Sequence, residues 1–102
     1  MNLLLAAALM LSWAPGSTAA QSMAQLVGSI VDQTGAPLPG VRVTIQGAAV
    51  RTVTTAAAGD FAFLDVREGD YEISAELTGF ERQSRIVHVR AGEQVSVSFA
   101  LR

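Results

Sequence analysis

Gly59-Asp60-Phe61-Ala62-Phe63, followed shortly by Gly69-Asp70-Tyr71-Glu72-Ile73, is the stretch that decides the fold of this chain. Successive side chains of a β-strand point to opposite faces. Phe61 and Phe63 therefore share one face of one strand. Tyr71, Ile73, Ala75 and Leu77 share one face of the next, with Glu72, Ser74, Glu76 and Thr78 opposite. Three of the six aromatic residues fall in this pair. Turned toward each other, the two apolar faces make the centre of a small β core.

The same alternation extends in both directions. Upstream, residues 26–32 form a β-branched strand ended by the turn signal Gln33-Thr34-Gly35. Ala36-Pro37-Leu38-Pro39-Gly40 cannot be a central strand with two prolines and reads as a rigid connector, with Leu38 as an inward plug. Residues 41–46 alternate strictly, with Val41, Val43 and Ile45 on one face, and residues 50–55 form a weaker third strand that is a candidate sheet edge. Ala56-Ala57-Ala58-Gly59 turns into strand four at residues 60–64. Residues 65–70 read as a charged loop before strand five at 71–78. Glu81-Arg82-Gln83-Ser84 reads as exposed, strand six covers 85–90 with Val87 and Val89 inward, and strand seven covers 94–101 with Val95, Val97, Phe99 and Leu101 inward. Seven short strands, turn signals about every 8–12 residues and no helical period predict an all-β sandwich of two sheets.

The first 20 residues stand outside this pattern. Leu3 to Leu11 is an unbroken apolar run, followed by Ser12-Trp13-Ala14-Pro15-Gly16 and small residues. That order predicts a secretory signal peptide over 1–20, cleaved before Gln21, and a mature domain over 21–102. The run lacks a preceding Lys or Arg, but it is far shorter than the roughly 20 apolar residues of a membrane span. The mature domain is accordingly expected without a membrane anchor, in the periplasm, on the cell surface or secreted. There is no Cys, so neither a disulfide nor a lipid-bearing cysteine is available, and the domain has to rest on its apolar core. A net charge of −2 argues against a nucleic-acid or anionic-membrane surface.

Four blocks in order carry a family resemblance. Residues 28–43, from Gly28-Ser29-Ile30-Val31-Asp32 through Pro37-Leu38-Pro39-Gly40-Val41, resemble the opening of carboxypeptidase regulatory-like domains. Thr54-Thr55-Ala56-Ala57-Ala58-Gly59-Asp60-Phe61-Ala62-Phe63 resembles their second block, Glu68-Gly69-Asp70-Tyr71-Glu72-Ile73-Ser74-Ala75 the third, and Thr78-Gly79-Phe80 the fourth. One departure stands out: Ala56 follows Thr55 where that block often carries an Asp able to tie the turn. The resemblance implies a seven-stranded Greek-key β-sandwich of the transthyretin-like (prealbumin-like) type. It also implies a non-catalytic module, as found beside metallocarboxypeptidases, at the N-terminus of TonB-dependent outer-membrane receptors and in surface proteins.

The candidate reactive residues are sparse. His88 is the single His, alternates with Val87 and Val89, and so should face solvent; zinc would need further His or Cys ligands. A related fold hosts a ureide hydrolase, which resembles this chain in architecture, but that family uses more than one His and a Tyr-Arg-Gly-Ser-type tail, whereas this chain ends Phe99-Ala100-Leu101-Arg102. Asp60, Asp65, Glu68 and Asp70 lack the spacing of a calcium loop and read as a solvated acidic surface. Sugar-binding sandwiches stack rings on exposed aromatic plates. Trp13 lies in the leader and Tyr71 reads as core, which leaves Phe80 as the candidate ligand contact, against the plainer reading that it caps the core. No catalytic residue, metal or cofactor is expected. The functional expectation is an exported, non-enzymatic accessory module contacting or spacing an envelope or surface protein. The alternatives are a carbohydrate-binding module and the N-terminal piece of a TonB-dependent receptor.

Overall fold

The computed structural model describes residues 22–102. The expected leader over 1–20 and the cleavage point before Gln21 lie outside the described residues.

The described chain is all β: β1 (Ala24–Asp32), β2 (Arg42–Gln46), β3 (Val50–Thr54), β4 (Asp60–Val66), β5 (Gly69–Glu76), β6 (Gln83–Val89) and β7 (Gln94–Leu101). They form a three-stranded sheet in the order β4-β1-β7 and a four-stranded sheet in the order β3-β2-β5-β6. β1 and β7 run parallel and every other neighbouring pair is antiparallel. Strands distant in sequence thus lie side by side: the molecule is the two-sheet, seven-stranded sandwich that the alternation predicts, with the Greek-key order that the family resemblance implies. Val41, Val43, Ile45, Phe61, Phe63, Tyr71, Ile73, Val97, Phe99 and Leu101 are buried in one core, joined by Leu26 and Ile30 from β1. Leu38 packs against that core from the proline-rich connector.

Three local readings are corrected. The charged loop over 65–70 is not a loop: β4 runs on to Val66 and β5 begins at Gly69, leaving Arg67 and Glu68 between them. Strict alternation after Phe61 and Phe63 would turn Asp65 inward. A bulge prevents it, with a register shift opposite Ala24 to Leu26 and Asp65 at φ 55°. The extra residue leaves Leu64 and Asp65 exposed and buries Val66. Ser74, expected on the solvent face, is buried. It sits in a row Thr52–Thr44–Ser74–Ser84 across the outer face of the four-stranded sheet, shielded by its neighbours. β6 starts at Gln83, inside the segment expected to be exposed, and the Gln83 side chain donates to the Ala100 carbonyl at 2.7 Å.

The two open seams of the sandwich are clasped by arginines. On one side Arg51 of β3 lies 5.7 Å from the Phe63 ring centroid and donates to the Leu64 carbonyl at 2.7 Å. On the other, Arg85 of β6 lies 4.8 Å from the Phe99 ring centroid. Each guanidinium caps the edge of the core while staying wet, an arrangement favoured by the negative face of the ring.

Candidate functional site

Phe80 is placed by a short sequence of constraints. β5 ends at Glu76, and the Phe80 amide donates to the Leu77 carbonyl at 3.0 Å with Gly79 at φ 92°. That is a type II turn, which needs a positive φ at its third residue and so takes Gly there. The turn folds Phe80 back on the core, where it and Leu77 pack as half-buried residues. The capping role and the ligand-contact role are therefore not exclusive. The remaining exposed part of Phe80 lines an open cleft of about 440 Å³ with Arg42, Thr54, Glu76 and Arg82. The register explains the company: Arg42 lies opposite Thr54 on one side and Glu76 on the other. The arrangement offers one aromatic ring, two guanidiniums and one carboxylate, groups that suit a small polar or anionic ligand.

The opposite end of the sandwich holds a second hollow of about 300 Å³, lined by Met23, Ala48, Arg51, Asp65, Arg67 and Tyr71. Tyr71 is buried, and its hydroxyl donates to the Arg67 carbonyl at 2.8 Å. Its ring passes so close to Gly47 that a Cβ there would sit 2.7 Å from it. Nearby on the outer face, His88 Nδ1 and the Asp70 carboxylate lie 2.5 Å apart, with side chains 76% and 73% exposed. His88 faces solvent as its alternation predicts. A contact this exposed orients the two side chains, but water competes for both partners. Among the described residues no three His, Asp or Glu side chains converge as a metal site. Asp60 and Asp65 lie on β4, Glu68 in the connector and Asp70 on β5 beside His88.

Two polar devices that alternation could not reveal hold the connectors. Asp32 Oδ1 accepts from the Thr34 hydroxyl at 2.6 Å, the Thr34 amide at 2.8 Å and the Ala36 amide at 3.1 Å. The Thr34 hydroxyl first, then these amides, hold its carboxyl below the usual aspartate range. Buried Thr55 donates from Oγ1 to the Leu38 carbonyl at 2.7 Å and accepts from the Val41 amide at 2.9 Å. The turn after it, where Ala56 replaces the frequent Asp, is closed by backbone alone. The Gly59 amide donates to the Ala56 carbonyl at 2.8 Å and the Ala56 amide to the Asp60 carbonyl at 3.0 Å.

Solved structures share this fold at low identity. The Bacillus anthracis TIE protein superimposes with a TM-score of 0.70 at 18% identity, over 78% of this chain and 16% of that one. The 3-chlorocatechol 1,2-dioxygenase of Rhodococcus opacus gives 0.67 at 13%, over 80% of this chain and 60% of that one. A Pseudomonas aeruginosa protein described as a candidate carbohydrate-binding protein gives 0.60 at 17%, over 76% of this chain and 89% of that one. This chain therefore spans less than two thirds of the first two, and at these identities the likeness concerns the fold alone. No curated protein matches the chain in sequence. The family, by contrast, is shown directly. Residues 25–102 match the carboxypeptidase regulatory-like domain from β1 to the last residue, and the chain belongs to that family.

Proposed function

We propose that this protein is an exported, non-catalytic accessory module that contacts or spaces an envelope or surface protein. The observation that carries the reading is the closed sandwich itself. Its large side chains converge on one core and both seams are clasped by an arginine over a phenylalanine. Such a body is a rigid block with two outer faces, and the same fold occupies 16% of a much longer chain in the Bacillus anthracis protein. Two measurements test the proposal. Fractionation of expressing cells, with mass determination of the chain, is expected to find protein beginning at Gln21 outside the cytoplasm; a full-length cytoplasmic chain would defeat the export claim. Assays with peptide and ureide substrates are expected to show no turnover, and hydrolysis abolished by His88→Ala would defeat the non-catalytic claim.

A second reading is favoured by the Phe80 cleft, where an aromatic edge meets Arg42, Arg82 and Glu76. One aromatic ring beside charged and hydroxyl-bearing neighbours is what a sugar-binding reading requires. The Pseudomonas aeruginosa neighbour described as a candidate carbohydrate-binding protein adds support. Binding on a glycan array, lost on Phe80→Ala, would promote this reading, and silence across the array would retire it.

A further inference from the structure

The outer side of β7 is a sheet edge, and the register tells which of its backbone groups are free. β1 and β7 are parallel with Gln25 opposite Gln94, and the Gln25 amide donates to the Glu93 carbonyl at 2.9 Å. In a parallel ladder the hydrogen bonds of one residue go to the neighbours flanking its opposite number, so alternate residues of each strand serve each side. Val95, Val97, Phe99 and Leu101 thus bond toward β1, while Gln94, Ser96, Ser98 and Ala100 present N–H and C=O outward. Two contacts agree with this assignment: the Gln83 side chain reaches the Ala100 carbonyl at 2.7 Å, and the Glu81 amide reaches the Arg102 carbonyl at 2.7 Å. They close one end of the edge and leave residues 94–98 open. Among the described residues no strand pairs with this side.

Proteins normally blunt such edges with charge, proline, a bulge or shortness. The other three edges of this sandwich follow the rule. β3 has five residues and carries Arg51; β4 is bulged and carries Asp60 and Asp65; β6 carries Arg85 and His88. β7 has eight residues and neither a charge nor a proline.

We infer that this edge joins two copies of the chain, β7 antiparallel to β7, about a two-fold axis at Ser96. In that register Ser96 faces Ser96 and Gln94 of each copy faces Ser98 of the other, which makes on the order of six backbone hydrogen bonds. The blocked Ala100 falls opposite Gly92, in the turn beyond the strand, so neither Gln83 nor Glu81 has to be displaced. The open window of one copy is the complement of the same window on the other, as a closed two-fold contact requires. Charge favours the same occupant. The paired window is neutral, and Glu93 of one copy comes opposite Phe99 of the other, the ring that carries Arg85. The two Arg85 positions lie roughly 20 Å apart along the strands, well beyond a Debye length of about 8 Å. The inference does not depend on the accessory role, which a monomer could also fill.

Sedimentation velocity of the full chain over a rising concentration series is expected to show a reversible monomer–dimer equilibrium. Ser96→Lys and Ser96→Glu each put like charges face to face across the axis and should weaken association about fivefold or more, with the far-ultraviolet circular dichroism unchanged. Mixing the two variants should restore association as a heterodimer. Amide exchange should slow at Gln94, Ser96 and Ser98 as the dimer forms, while Val95 and Val97 stay protected throughout. A monomer at every concentration overturns the inference, as does a dimer indifferent to either substitution or a mixture that fails to associate. Protection of Gln94, Ser96 and Ser98 in the monomer also overturns it, since another part of the chain would then cover the edge.

Discussion

Single residues set the tightest constraints in this molecule. A Cβ on Gly28 would lie 1.9 Å from the Val97 carbonyl oxygen and 2.6 Å from the Phe61 ring. The first contact is backbone of the neighbouring strand and cannot swing aside, so the glycine is what lets β7 and the Phe61 ring approach β1 this closely. Gly28→Ala is expected to destabilise the domain by about 3 kcal/mol, read as a lower urea midpoint with the slope unchanged. Asp32 gives a test in pH. Its carboxyl titrates below its unfolded value because Thr34 and Ala36 hydrogen-bond the charged form. A depressed folded pKa contributes stability above the unfolded value and loses it as pH falls through the folded one. Asp32→Asn should therefore be less stable than wild type near neutrality and converge with it in acid, and parallel stability curves across that range would refute the assignment. Ser74 shows where reading single residues fails. Its place in the alternation puts it on the outer face, correctly, but only the row formed with Thr44, Thr52 and Ser84 buries it there.

At the scale of elements the alternating pattern is strong enough to be read directly, because a strand half in water and half in the core has to write period two into its sequence. β2 and β7 carry that pattern cleanly and are found within a residue of where it places them. β4 is misjudged at its far end because a bulge adds one residue and inverts the phase, and nothing local in Leu64-Asp65-Val66 announces that. The two clasps were equally hidden, since an arginine in an exposed strand reads as solvent-facing until the opposite sheet brings a ring beneath it. Arg85→Ala is expected to cost about 0.5–1 kcal/mol, the worth of an exposed cation–π contact. Arg51→Ala should cost more, about 1–2 kcal/mol, because it also loses a hydrogen bond to the Leu64 carbonyl. Equal losses in urea melts of the two variants would mean that the Leu64 bond contributes nothing.

For the whole molecule the question is what a packed two-sheet sandwich offers a partner, and Phe80 is where two answers meet. Packed beside Leu77 against the core, it is expected to contribute about 2 kcal/mol, lost in Phe80→Ala. A variant of unchanged stability would mean that the ring is held for contact alone. Family and fold were legible in the sequence because they are written locally: apolar alternation, turn glycines and blocks of consecutive residues each carry their signal within a few positions. Which strands become neighbours was not. The parallel pairing of β1 with β7, the assembly of Arg42, Glu76, Phe80 and Arg82 around one cleft, and the neutral open edge of β7 all join positions far apart in the chain. Period two fixes the face on which a side chain lies but not the strand beside it, so those juxtapositions came into being only when the sheets closed.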